Sequence, residues 1–310
     1  MIAFWLRCRL AAETVMLIAA GVLFVRSGAA GPLTAAAAAV GVFLALHSDA
    51  IVVSFAVSRR HAAAAPPDLA RSRPSTLRIA IGEWLAYQAL FMLIQPFERL
   101  WMGDDAMGRQ PPDGVPVLLV HGYLCNRGVW WWLRRKMEAA GFTVATINLE
   151  PPLGSIDRFA DQLHARIEAL RAATGTDRVA LVGHSLGGLV ARDYLQRHGS
   201  SRIAKLVTLA SPHHGTWLAR YGLGENARQM EPDSAWIRAL PADPSVPTVT
   251  IWSPTDNFVA PQDSSRLTGA TEKILPGLSH LAMLFSPVVF TTLTRELASS
   301  NRTAVGRPTR

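Results

Sequence analysis

The sequence predicts an α/β protein: a mostly parallel sheet covered by helices on both faces, preceded by a block of hydrophobic helices. Three observations carry this. Beyond residue 108, short apolar runs rich in Val, Ile and Leu alternate with segments of helical spacing, the pattern of strand–helix–strand crossovers. One run, Val179–Val182, breaks at Gly183-His184-Ser185-Leu186-Gly187 and passes directly into the amphipathic stretch Leu186–His198. Residues 1–103, by contrast, hold three long apolar runs.

Of the 310 residues, 49% are hydrophobic and the net charge is +8. The charge divides evenly at Gly103, with 9 Arg/Lys against 5 Asp/Glu before it and 22 against 18 after. Without a basic stripe interleaved with aromatics, nucleic acid is not an expected partner. Cys8 and Cys125 lie far apart and offer neither a disulfide framework nor a metal-ligand pair.

Leu10–Val25 is apolar apart from Glu13 and Thr14, and Arg7 and Arg9 precede it. A secretory signal has this layout, but a second apolar run of 25 residues, Leu33–Val57, follows and is long enough to cross a bilayer. Joined by Arg26–Pro32, the two read as a helical hairpin. His47, Ser48 and Asp49 interrupt the second run. Ionisable groups at that depth raise a functional question, and a kink or pairing within the hairpin is the simpler reading. The third run, Ile79–Trp101, carries Glu83, Gln88, Gln95, Pro96 and Glu98. Arg7, Arg9, Arg59, Arg60, Arg71 and Arg73 place the N-terminus and the 59–78 linker on the cytoplasmic side. If Ile79–Phe97 crosses, the remainder faces outward; if it lies flat in the interface, the remainder is cytoplasmic. Glu83 falls only five positions into the run, so crossing is the expectation. The expected organisation is a membrane-anchoring region over 1–103 (spans 10–25, 33–57 and 79–97), a catalytic domain over 104–298, and a loose polar tail over 299–310.

In the second region Val115–Val120, Phe142–Ile147, Val179–Val182, Ile203–Leu209, Val246–Trp252 and Glu272–Leu275 read as strands. Trp130–Ala140, Ile156–Ala173, Leu186–His198 and Pro287–Ala298 read as helices. Phe159, Leu163, Ile167 and Leu170 form the buried face of the second of these helices. Residues 217–245, with Trp217, Met230 and Trp236 among polar residues, read as a small helical lid.

The G-x-S-x-G turn after a buried strand is a nucleophile elbow, which lifts Ser185 above the sheet edge with the next helix's N-terminus behind it. A serine hydroxyl needs a base, and the base needs an orienting acid. After Ser185 the histidines are His198, His213, His214 and His280. His198 suits the end of its helix. His280 stands in the Gly/Pro-rich loop after the last strand, where a base can reach back over the sheet. Asp256 lies just beyond a strand, and Asp263 is its nearest rival, seven residues further on. Two backbone donors would complete an oxyanion hole: Leu186 N–H, and Tyr123 N–H in the loop His121-Gly122-Tyr123, with His121 bracing that loop. Trp130 of Trp130-Trp131-Trp132, Trp217, Met230 and Trp236 are candidates to line an acyl pocket, with core packing the alternative for each.

Taken together, His121-Gly122, Gly183-His184-Ser185-Leu186-Gly187-Gly188, Ser211-Pro212-His213-His214-Gly215-Thr216, Asp256-x-x-Val259 and Gly277-Leu278-Ser279-His280 resemble the lipase/esterase branch of the α/β-hydrolase superfamily. The Ser-Pro-His-x-Gly-Thr element is similar to that of bacterial triacylglycerol lipases and GPI-inositol deacylases. The resemblance spans residues 112–298. It implies Ser185 as nucleophile, Asp256 as acid, His280 as base, and Tyr123 and Leu186 as oxyanion donors. It also implies a lipid-like ester substrate; the apolar runs of residues 1–103, which have no counterpart in those secreted enzymes, add the expectation of a membrane location, the inner membrane in a bacterium. No acidic cluster stands near His280, so neither metal nor cofactor is expected. An acyltransferase using the same three residues, and a non-catalytic scaffold on this fold, are the alternatives; protein partners are not legible.

Overall fold

Six strands form one sheet in the computed structural model, which describes residues 1–63, 75–105 and 114–305. They are β1 (Val117–Val120), β2 (Val144–Thr146), β3 (Val179–His184), β4 (Ile203–Leu209), β5 (Thr248–Trp252) and β6 (Thr271–Ile274), ordered β2-β1-β3-β4-β5-β6. Every neighbouring pair is parallel. All carboxyl ends therefore open on one edge, where loops can gather residues from distant parts of the chain. Side-chain alternation divides the strands between two cores. Val117, Leu119 and Val182 belong to one, and Leu118, Val120 and Leu181 to the other.

The N-terminal runs form α1 (Ile2–Arg26), α2 (Pro32–Leu46), α3 (Asp49–Arg60), α4 (Thr76–Gln88) and α5 (Glu98–Met102). After β1 come α6 (Trp131–Ala139), α7 (Ile156–Thr174) and α8 (Leu186–His198), then the short α9 (Glu225–Gln229) and α10 (Ala235–Ala239), and finally α11 (Pro287–Val305). The lid region thus consists of a 3₁₀ turn, Trp217–Tyr221, followed by α9 and α10.

α7 illustrates how local sequence sets an element. Ser155 Oγ accepts the Arg158 N–H at 3.3 Å, Asp157 sits in the first turn, and Gly175, at φ 68°, ends the helix. Phe159, Leu163, Ile167 and Leu170 then bury one stripe against the sheet. α11 continues past the expected end at 298, because polar residues without Gly or Pro do not stop a helix. Of the expected tail, residues 306–310 lie outside the described residues.

Three N-terminal segments, Ile2–Arg26, Pro32–Arg60 and Thr76–Met102, are long and apolar enough to cross a membrane. The second is broken where its polar residues fall. Ser48 Oγ bonds back to Leu44 O at 2.8 Å, a contact that bends helices. His47 Nδ1 lies 2.6 Å from Phe43 O, and its Nε2 lies 3.0 Å from Glu13 Oε2 of α1, tying the base of the hairpin together.

The third segment does not stand apart from the rest. Between α4 and α5 it passes through a π-helical turn, Ala89–Ile94, and a 3₁₀ turn containing Pro96, whose missing N–H interrupts the regular ladder. Tyr87, Leu90, Ile94 and Met102 join the core that also holds Trp130 and Leu133. Gln95 Oε1 accepts Asn126 N–H at 2.8 Å, and Gln95 O accepts Asn126 Nδ2 at 2.9 Å. At the other end of the chain's hydrophobic block, the N-terminal amine pairs with Glu150 and Arg7 donates to Pro96 O at 2.7 Å. These contacts tie the N-terminus and the third segment to the loops of the sheet. Hydropathy alone cannot separate a helix buried in protein from one buried in lipid.

Candidate active site

The sheet's carboxyl edge brings together the three residues on which the sequence reading centres. Ser185 follows β3 directly, at φ 54° and ψ −123°, a conformation that costs a non-glycine residue energy and that surrounding packing must impose. The packing is close. A Cβ on Gly187 would lie 2.2 Å from Val120 O, and one on Gly183 would lie 2.5 Å from Gly188 N. Strand and helix can approach so closely only because those positions carry hydrogen. A Cβ on Gly122 would lie 3.0 Å from Ser185 Cβ, so the His121-Gly122-Tyr123 loop runs directly beside the serine. Leu186 is the first residue of α8, where an N–H has no intrahelical acceptor.

Asp256 lies in the loop after β5. Its Oδ1 accepts Phe258 N–H at 2.7 Å and Val259 N–H at 2.9 Å. His280 follows β6, and its Nδ1 stands 2.9 Å from Asp256 Oδ2 and 3.2 Å from Oδ1. An ionised carboxylate only accepts, so this pairing assigns the proton to Nδ1 and leaves Nε2 with its lone pair. Burial opposes charge on His280, but the Asp256 carboxylate, its hydrogen bond and Glu83 outweigh it and raise the pKa above the ordinary histidine value. His184 behaves oppositely: burial, then neighbouring His280, hold it well below that value. It is thus a neutral ring whose Nε2–H donates to His280 O at 3.2 Å.

The other histidines have structural surroundings. His121 Nε2 accepts Leu149 N–H at 3.0 Å, and burial pulls its pKa down to about 4, so it braces the loop as a neutral ring. His213 is buried, with Nε2 3.0 Å from Thr208 Oγ1 and its carbonyl held by Arg192. His198 pairs with Asp161 at 3.0 Å at the end of α8. Asp263, the rival acid, is exposed in a 3₁₀ turn. Thr216, which closes the Ser-Pro-His-x-Gly-Thr element, donates to Phe258 O at 2.8 Å and accepts Ala260 N–H at 3.0 Å. It thereby fastens the loop after β4 to the Asp256 loop.

Ser185 and His280 line one cavity of about 390 Å³, with Gly122, Tyr123 and Met230. The Tyr123 hydroxyl donates to Leu223 O at 2.8 Å and accepts Leu223 N–H at 2.7 Å, linking the loop to the lid. Of the four side chains expected in an acyl pocket, Met230 lines this cavity, and the three tryptophans have other surroundings. Trp130 is fully buried in the core, edge-on to His184. Trp217 stacks on His61 at 4.4 Å under the Arg220 guanidinium. Trp236 turns away, its Nε1 donating to Asp157 at 3.3 Å.

In their place the cavity takes a wall from the N-terminal block: Asp49, Ala50 and Val53 of α3, with Tyr87 and Phe91 from the third segment. α3 also reaches the Asp256 loop. Ser58 Oγ donates to Asp256 O at 3.0 Å, and Ser54 Oγ accepts Asn257 Nδ2 at 2.7 Å. Apart from Asp49, whose depth in an apolar run raised a functional question, the sequence reading missed these residues. Their only signal was polarity inside apolar runs, at 47–49, Ser54, Ser58 and Glu83.

Residues 115–244 match the family model described as alpha/beta hydrolase fold. The chain is similar to a triacylglycerol lipase of Pseudarthrobacter phenanthrenivorans, 30% identical over 118 residues, covering 34% of this chain and 35% of that protein. It is also similar to a triacylglycerol lipase of Pseudomonas fragi, 29% identical over 159 residues, covering 46% and 52%. The matches thus span a third to a half of the length of these relatives. Among solved structures, lipase B of Aspergillus fumigatus has the same fold, with a TM-score of 0.57 at 22% identity over 63% of this chain and 55% of that one.

Proposed function

We propose that the chain belongs to the lipase and esterase branch of the α/β-hydrolases and hydrolyses lipid-like carboxylic esters through a serine acyl-enzyme at a membrane surface. The observation that carries this is that His280, paired with Asp256, faces the same cavity as the strained Ser185. In the proposed reaction His280 Nε2 takes the Ser185 Oγ proton as Oγ bonds to the ester carbonyl carbon. The resulting oxyanion is met by the N–H groups of Leu186 and Tyr123. Asp256 steadies the imidazolium at Nδ1. The imidazolium then gives its proton to the departing alkoxide as the C–O bond breaks. Water, deprotonated by the same base, releases the acid and restores Ser185.

The test is hydrolysis of a graded series of p-nitrophenyl esters by full-length protein in detergent. Because His280 must be neutral to act, and its pKa is raised, kcat/KM should fall as pH drops through a value above the ordinary histidine range of about 6.5. A profile flat down to pH 5 contradicts His280 as base.

The membrane part of the reading rests on the hairpin. Val15, Ile18, Val22, Leu23, Phe24, Leu33 and Val40 are exposed, an apolar surface suited to lipid rather than water. From Leu10 to Arg26 an α-helix rises about 25 Å, close to the hydrocarbon thickness. Arg7, Arg9, Arg59 and Arg60 lie at the hairpin's base and Arg26 at its tip; Arg71 and Arg73 fall outside the described residues. The arginine bias supports a cytoplasmic base, and the contacts of Met1 with Glu150 and of Arg7 with Pro96 favour the same side for the catalytic region over the outward-facing alternative that a third crossing would give. Full-length protein should require detergent, not salt or alkali, for extraction. A reporter fused after Ser299 should be bright if it works only in the cytoplasm and silent if it works only outside; the reverse pattern refutes this topology.

A further inference from the structure

Glu83 is a carboxylate with no part in the chemistry above, yet it is completely buried in α4. Its oxygens accept Leu281 N–H at 2.9 and 3.1 Å and Ala282 N–H at 3.0 Å, and it also takes a hydrogen bond from the Ser279 side chain. These three residues bracket His280 on both sides. The charged and titratable groups that act on Glu83 are His280 and Asp256. Among the described residues neither lysine nor arginine pairs with it, a costly state for a buried carboxylate, and neutral acceptors would have satisfied the same loop N–H groups. What a carboxylate adds is negative charge beside a ring that must become positive during the reaction.

We infer that Glu83 is a positioning residue for His280: it fixes the loop that carries the base and supplies a second negative charge, after Asp256, to the imidazolium formed when Ser185 attacks. This rests on the proposed serine chemistry. The apolar block ahead of the sheet thereby becomes part of the machinery as well as an anchor. The groups facing His280 come from three elements: Asp256 from the loop after β5, Glu83 from α4, and His184 from the end of β3. The Phe258 ring, 5.2 Å away, adds no charge. His184 is held neutral by burial, so the acid limb of the rate profile reports His280 under two carboxylates.

The test uses full-length protein in detergent micelles with p-nitrophenyl butyrate. Glu83→Gln keeps an acceptor for the loop but removes the charge. It should lower kcat by about 10- to 100-fold with KM changed less than about threefold. Losing a negative neighbour lowers a histidine's proton affinity, so the acid limb of kcat/KM should move down by about one pH unit. Glu83→Asp keeps the charge but shortens the reach, so kcat should fall while the limb stays near its wild-type position. Wild-type kcat in Glu83→Gln overturns the inference, and so does a loss of kcat with the limb unmoved, which is what loop support alone would give. If Glu83→Gln does not accumulate as folded protein, Glu83→Asp and Glu83→Asn, equal in reach and different in charge, decide: a limb about one pH unit lower in Glu83→Asn supports the inference, and limbs at the same pH overturn it. Wild-type turnover and its loss in Ser185→Ala are measured in the same preparation. Absence of wild-type turnover refutes the underlying esterase reading and this inference with it, whereas an unaffected Glu83→Gln variant counts against this inference alone.

Discussion

Asp256→Asn is expected to lower kcat by about 10⁴-fold while leaving the fold intact. The size follows from how the carboxylate is used. Oδ1 already accepts two backbone N–H groups, from Phe258 and Val259, so asparagine must place its oxygen there. Its amide NH₂ then occupies the Oδ2 position, 2.9 Å from His280 Nδ1. Two donors cannot face each other, so Nδ1 gives up its proton and Nε2 takes one. The base is thereby held in the tautomer that cannot accept from Ser185. Because the loop keeps both of its N–H partners, the melting temperature should hardly change. A loss of less than tenfold with unchanged melting would mean that His280 is not the base, or that another group orients it.

Removing residues 1–103 is expected to abolish both solubility and activity. If those residues were only a tether, the remainder would fold alone. They are more than that. Tyr87, Leu90, Ile94 and Met102 are buried in the core shared with β1, α6 and α11. At about 1.5–3 kcal/mol for each buried side chain of this kind, their loss amounts to roughly 6–12 kcal/mol. That is comparable to the whole stability of an ordinary domain, about 5–15 kcal/mol. The truncated chain also loses the Gln95 contacts to Asn126, the Ser58 bond to Asp256 O and one wall of the cavity. Expression of 104–310 followed by circular dichroism and an ester assay checks this; a soluble, cooperatively folding product with wild-type turnover contradicts it.

Much of the sheet was legible in the sequence because its signals are local. Val179–Val182 could only be a buried strand, and Gly183, Ser185 and Gly187 mark a turn that few other residues could make. The chain order Ser185, Asp256, His280, each just beyond a strand, pointed to the proposed site before any distance was known. What stayed hidden depended on partners far away in the chain. The third apolar run has the hydropathy of a membrane span, and only its contacts with Asn126, Leu281 and Ala282 reveal that protein covers much of one face. Glu83, Gln95 and Pro96 were the sequence's signal of those contacts, since each is awkward in lipid. The tryptophans were ambiguous for a related reason: a large apolar ring suits a pocket wall and a core equally, and Trp130 is fully buried in the core.

The most direct measurement is covalent labelling of the full-length protein with a fluorophosphonate, followed by peptide mass spectrometry. A serine activated by a neighbouring base attacks phosphorus as it would an ester carbonyl, and the adduct marks the attacking atom. The expected result is one stoichiometric adduct on the peptide containing Ser185, lost in Ser185→Ala and strongly slowed in Asp256→Asn. Labelling of the Ser185→Ala protein at wild-type rate, or no adduct on Ser185 in a folded wild-type sample, would contradict the assignment of this site as a serine esterase.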